Sequence, residues 1–320
     1  MKYVARRLAH AALLILAISF LSFALAQLAP GDFFDAMRMN LQTSSRTVNR
    51  LRAEYGLDRP FLVRYGRWLK SMARGEMGTS LAYNSPVGPL VVARARNTLL
   101  LTGCALTLAW LIAVPLGIWS AVKRGGWFDR VAELTVSTIL TVPDLLIFLT
   151  LLLLAVRTGW FPSGGMESLG AKGMSATSQF GDLLHHLALP CIGLALVATP
   201  ALFRHVRTAL IETLESPFLR AARGHGISEG RLLFRYALPT AANPLISLLG
   251  FSVASMLSMS LLAEVILSWP GIGSLLLESI LSRDVYVVFA VVIFSSVFLV
   301  AGNLLADLLI FASDPRIRMD

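Results

Sequence analysis

The sequence predicts an all-α integral membrane protein that crosses the bilayer six times with both termini in the cytoplasm. Three observations lead there. Of 320 residues, 56% are hydrophobic and only 15% charged, with mean hydropathy +0.69; soluble domains are far more polar. Six segments, roughly 9–29, 99–121, 131–156, 187–208, 240–267 and 285–311, are apolar over the ~20 residues a helix needs to span hydrocarbon. With a cytoplasmic N-terminus, residues 1–8, 122–130, 204–239 and the tail hold 14 lysines and arginines, against 3 in 157–186 and 269–284. That split follows the positive-inside rule.

The first segment imitates a signal peptide, with a basic start, an apolar run and "ALAQ", in which Ala24 and Ala26 have cleavage-site spacing. Its apolar run is longer than a typical signal core, and removing it would invert the charge logic downstream. An uncleaved first helix is therefore expected. Residues 30–98 follow as an external segment, too long to obey the charge rule. Within it Asp58 is expected to cap a helix with Pro60 in its first turn. Phe61, Leu62, Tyr65, Trp68, Leu69 and Met72 recur at helical spacing, with Arg64, Arg67, Lys70 and Arg74 opposite. Such a helix suits the bilayer surface, anchored by Tyr65 and Trp68, or a docking surface for an external partner.

Residues 99–311 form the core of five further spans, and 312–320 a short cytoplasmic tail. Pro115, Pro143 and Pro200 interrupt three spans, which membrane helices tolerate when neighbours satisfy the freed carbonyls. Glu133 is expected to pair with Arg130, one turn away. Asp144, Ser255 and Glu264 are candidates for a polar translocation path, because polar and ionisable groups at depth are costly. Interhelical hydrogen bonds, or close packing by small residues, would explain them equally.

Catalytic and metal motifs are scarce. The net charge of +9 is spread along the chain and not gathered on one face, so it does not point to nucleic acid. Cys104 and Cys191 lie in apolar runs and suggest neither a disulfide nor a metal. No Gly-Lys pair occurs, which excludes a P-loop in this chain. His185 and His186 near Asp182 allow a metal at the outer face, but such a cluster is more often solvated interface.

Residues 209–239 stand out. Ser216-Pro217 opens a helix of about two turns, "FLRAAR", which Gly224 and Gly226 end. Ser228 is placed to cap a second helix, "EGRLLFRYAL", before Pro239. Paired alanines beside an exposed Phe218 make a small knob suited to a partner's groove.

The spacing of Ala221-Ala222, Gly226 and Leu238-Pro239 resembles the "EAA" loop of ABC importer permeases. Arg220 stands where that motif has Glu, and Arg220, Ala222, Arg223 and Gly226 resemble the "R-x-A-R-x-x-G" form of the dipeptide/oligopeptide/nickel branch. The resemblance extends through "YVARRL", "LAPGD", "YGLDRP", "GTS", "PLGIWSA", "WPGIG", "SRD" and "DPRIR". It implies the six-helix type I ABC importer permease fold. It also implies a coupling helix carrying Phe218, Arg220, Ala221, Ala222, Arg223 and Gly226, seated in a cytoplasmic ATPase. The implied partners are a second homologous permease as a heterodimer, two P-loop ATPase subunits that use ATP and Mg, and an extracytoplasmic substrate-binding protein, all in membrane lipid. This chain would bind no cofactor and catalyse nothing. Peptides or a related solute, possibly nickel, are the implied cargo. A secondary transporter or channel is the alternative, but inverted repeats are not evident.

Overall fold

A computed structural model describes residues 2–28, 50 and 59–313. Asp58, most of "LAPGD" and "YGLDRP", and the "DPRIR" tail lie outside them. Among the described residues the helices are, in order, α1 (Lys2–Leu28), α2 (Phe61–Ala73), α3 (Val87–Val122), α4 (Trp127–Thr141), α5 (Asp144–Thr158), α6 (Ala176–Leu214), α7 (Pro217–Gly224), α8 (Glu229–Ile266), α9 (Ile272–Leu281) and α10 (Val285–Ser313). Among the described residues α3, α6, α8 and the Val285–Leu304 part of α10 are long and apolar enough to cross a membrane. The pair α4 and α5 passes the same test only when taken together, as a broken span or a re-entrant loop. The first expected span is α1, continuous over 27 residues, with a shorter apolar stretch at Ala9–Leu25.

The break between α4 and α5 corrects the expectation of a single third span: the two helices meet at 96°. Val142 is extended at φ −83°, ψ 125°, the conformation that a following proline imposes. The helix therefore stops at Thr141 and restarts after Pro143 with Asp144 in its first turn, where a carboxylate meets the helix dipole favourably. Pro115, Pro190 and Pro200 instead sit inside continuous helices. Likewise α8 does not stop before Pro239. Its stretch Leu232–Ala237 is π-helical, and the Leu238 N–H reaches back to the Leu233 carbonyl. The wider turn lies just ahead of a residue that has no N–H to give.

The chain divides into two units. One comprises residues 1–97 and 271–300. In it the amphipathic helix α2 forms as expected, with Pro60 as its N-cap residue and not in its first turn. Its aromatic face packs against the protein. Trp68 is 7% exposed and packs with Phe23 of α1 and Phe289 of α10, while the Tyr65 hydroxyl is 2.8 Å from Ser19 Oγ. A two-stranded hairpin, β1 (Thr79–Ser80) and β2 (Ser85–Pro86), precedes α3, which begins well before residue 99. Asp284, fully buried, ties the hairpin down by accepting from Ser80 Oγ at 2.6 Å and the Ala82 amide at 3.0 Å. Tyr83 donates to Glu278. Burial first, then that hydrogen bond, push the Tyr83 phenol up to about 12, so it remains a donor at physiological pH.

The second unit, residues 98–270 and 301–320, packs α3, α4, α5, α6 and α8 around Leu101, Phe148, Leu194, Phe203, Met256 and Trp269. Gly193 of α6 faces Phe148; a Cβ there would lie 2.7 Å from the ring. That is the small-residue contact by which membrane helices approach closely.

Candidate functional site: a capped knob between α6 and α8

In α7 the Ser216-Pro217 pair starts the helix as N-cap and N1. Leu219, 1% exposed, anchors it to a small core of Ala121, Leu210, Leu232, Ala237 and Ala241. Its end is a Schellman motif: the Gly226 N–H bonds the Arg223 carbonyl at 3.0 Å and the Ile227 N–H bonds that of Ala222 at 3.4 Å. Gly226 holds φ +77°, the left-handed conformation that a side chain disfavours. The two helices and glycine turn read from the sequence are therefore present, although the second is the start of α8.

The outward surface comprises Phe218, 47% exposed, with Arg220, Ala221 and Arg223. Ala222 is half-buried against the chain's own Leu219 core. Of the two alanines, Ala221 is the exposed one and Ala222 the partly buried one. Arg223 is held by a fork to Glu229, Nε to Oε1 at 2.7 Å and Nη2 to Oε2 at 3.1 Å, stapling α7 to α8. Arg124 reaches Glu215 at the entry to α7.

Beneath this knob lies a cluster that sequence reasoning missed. Asp129 of α4, 4% exposed, takes both arms of Arg207 at 2.7 and 2.9 Å, plus the Ser120 hydroxyl and the Gly125 amide. It thereby ties the end of α3, the following turn, α4 and α6 together. The only sequence signal was an acid and an arginine each at a span end.

The other candidates lie on α5 and α8. Asp144 is half-buried at the start of α5, Ser255 is half-buried within α8, and Glu264 is fully buried. Glu264 accepts from Thr98 Oγ1 at 2.6 Å. No hydrogen bond among the described residues joins these three. Ser252, Ser258 and Ser260 of α8 bond back to carbonyls of their own helix, a local satisfaction that explains their tolerance at depth. Glu133 pairs with Arg204 of α6 at 3.3 Å and not with Arg130. His185 and His186 contact the carbonyls of Trp160 and Asp182, and no group of three or more metal-type ligands occurs among the described residues. Gly226-Ile227-Ser228-Glu229-Gly230 spells the G-x-S-x-G of serine hydrolases. Here, however, Ser228 is an N-cap between two helices and not the strand-to-helix elbow that exposes a nucleophile.

Comparison with known proteins identifies the family. Residues 113–319 match the binding-protein-dependent transport system inner membrane component family, and residues 1–94 match its N-terminal companion. The oligopeptide transport system permease protein AppB of Bacillus subtilis is 36% identical over 99% of both chains. The permease protein OppB of Mycobacterium bovis is 31% identical, again over 99% of both. Among solved structures, an inward-facing form of the MetNI methionine ABC transporter matches at TM-score 0.58 and 17% identity, over 70% of this chain and 96% of that one; this likeness concerns fold alone. The chain belongs to the binding-protein-dependent transport system inner membrane component family. It has the type I ABC importer permease fold and is a non-catalytic, multi-pass inner-membrane permease that works with ATPase and substrate-binding partners.

Proposed function

We propose that this permease forms half of the translocation pathway for peptides, paired with a homologous but distinct permease and served by two P-loop ATPases that bind ATP and Mg. An extracytoplasmic binding protein delivers the cargo, and both termini face the cytoplasm. The peptide assignment is supported by the relatives named as oligopeptide permeases. The observation that carries the coupling assignment is α7 itself: anchored inward by Leu219, capped at Gly226, and outwardly presenting Phe218 and Ala221. A rigid small knob of this kind suits helix-in-groove recognition. Arg220 and Arg223 flank it with positive charge.

Mechanically, ATP draws the ATPases together, the seated helices move with them, and the permease pair changes the side to which it opens. Cargo and nucleotide must each favour one state for the two to be linked. The test is reconstitution of the chain with its partners in liposomes. Ala221→Arg should abolish ATP-driven uptake and the stimulation of ATPase activity by loaded binding protein, while span assembly remains intact. Gly226→Pro should do the same, because proline cannot adopt a positive φ. Uptake at the wild-type rate by either variant would refute the coupling assignment.

A further inference from the structure

We infer that one face of α8 lines the path of the cargo, with Phe251 as its apolar constriction, on the reading that this chain forms half of a peptide pathway. Between Thr240 and Ile266 the exposed residues are Thr240, Asn243, Pro244, Ser247, Phe251 and Ser258. At the turn of an α-helix these fall on a single stripe roughly 100° wide. The opposite side, with Ser252, Met256, Ser260 and Ala263, is buried. A helix face open to lipid is apolar, and α5 shows one: Leu145, Leu146, Leu149, Leu153, Leu154 and Val156 are 44–64% exposed. On α8 the polarity is reversed. Its open stripe carries one large apolar side chain, Phe251 at 67% exposure, among hydroxyls and an amide.

Two details suit a polar ligand moving past this stripe. Ser247 and Ser258 reach carbonyls of their own helix at 3.3 and 3.4 Å, against 2.7 Å for buried Ser252. Bonds that long are weak, so these hydroxyls can turn to a ligand. Pro244, inside the helix, has no N–H to give the Thr240 carbonyl one turn back. Peptide amides need donors and acceptors in turn, and hydroxyls with the Asn243 amide provide both. Phe251 lies near the middle of Leu238–Ile266, roughly 6 Å along the axis from Ser247 and 10 Å from Ser258. A ring placed between two polar stretches closes a path to water and small ions when no cargo fills it.

The experiment uses the full transport complex in liposomes, with Ser247→Cys, Ser258→Cys or Leu153→Cys in this chain. A charged, membrane-impermeant thiosulfonate is added on one side or the other, and only label gained over the parent is counted. The reagent needs a thiolate, which apolar surroundings suppress. Ser247→Cys and Ser258→Cys should each react, from one side or the other, about tenfold faster than Leu153→Cys. In the nucleotide-free complex, reagent from a given side should reach only one of the two. Phe251→Ala should let it reach both, at an unchanged unfolding midpoint. Rates no faster than that of Leu153→Cys would show the stripe covered by lipid or by the second permease, and overturn the inference. Reaction of both positions from one side without Phe251→Ala, or one-sidedness that survives it, would overturn the constriction. Uptake of a tritiated pool of di- to pentapeptides by the parent complex tests the cargo separately: labelling as expected with no uptake would overturn the peptide as occupant and not the polar path.

Discussion

Asp129 carries its charge at 4% exposure, and three elements offset the loss of water: the Arg207 fork, the Ser120 hydroxyl and the Gly125 amide. Removing one partner of such a buried pair costs more than the pair itself contributes, because the other charge is stranded. Arg207→Ala should therefore lower stability by ~3 kcal/mol. Arg207→Lys should cost less, since it keeps the charge but loses the two-pronged geometry. Thermal unfolding of the solubilised chain measures both; equal midpoints for Lys and wild type would show that the fork is dispensable. Gly193 makes the complementary case in the apolar core. Its missing Cβ is the space that the Phe148 ring fills, and Phe148, 1% exposed, has nowhere to go. Gly193→Ala should cost about 1–3 kcal/mol as overpacking, and its unfolding midpoint should fall even though alanine is the better helix former.

At the scale of elements, the helices of the core and the knob were readable because both depend on local pattern. Twenty apolar residues announce a span, and Ser-Pro followed by Gly-x-Gly announces a short helix with two ends. What depended on distant partners was not readable. Asp129 and Arg207 are separated by 78 positions, and the nearer Arg130 misled the assignment of Glu133. The aromatic stripe of α2 was visible, but nothing local distinguishes a stripe meant for lipid from one meant for Phe23 and Phe289. Nor do prolines announce which of them will break a helix: Pro143 does, whereas Pro190 does not. For α7 the stop is legible and testable. A Cβ at Gly226 meets nothing within 4 Å, so Gly226→Ala introduces only the strain of a positive φ, about 1–2 kcal/mol. Amide exchange in the last turn of α7 should then quicken by roughly five- to thirtyfold, while the core of α6 is unaffected. Unchanged exchange at Arg223 and Gly224 would mean the Schellman end is not what holds the helix.

For the whole molecule, the charge split between loops predicts an orientation that reporter fusions can test. Fusions at Gly224 and near Lys123 are expected to be cytoplasmic, and fusions near Arg67 and Lys172 external; an external signal at Gly224 would remove α7 from any ATPase. The N-terminal helix is the remaining question of architecture, since "ALAQ" offers a signal peptidase Ala24 and Ala26 at suitable spacing. Cleavage after Ala26 would carry away Phe23, which is 5% exposed and stacks on Phe289 with ring centroids 4.8 Å apart. It would also remove Ser19, the partner of Tyr65, and the Phe20 ring that meets Phe61 and Tyr65 edge-on. Helix α2 would then present Trp68, Tyr65 and Phe61 with no α1 beneath them, and α10 would lose the cover of Phe289. Burial of such aromatic rings contributes on the order of 1.5–3 kcal/mol each, so cutting α1 loose would release a large share of that unit's packing. Mass spectrometry of the purified chain should find residues 1–26 present, and a chain beginning at Gln27 would show both the aromatic cluster and the inside-first topology to be wrong.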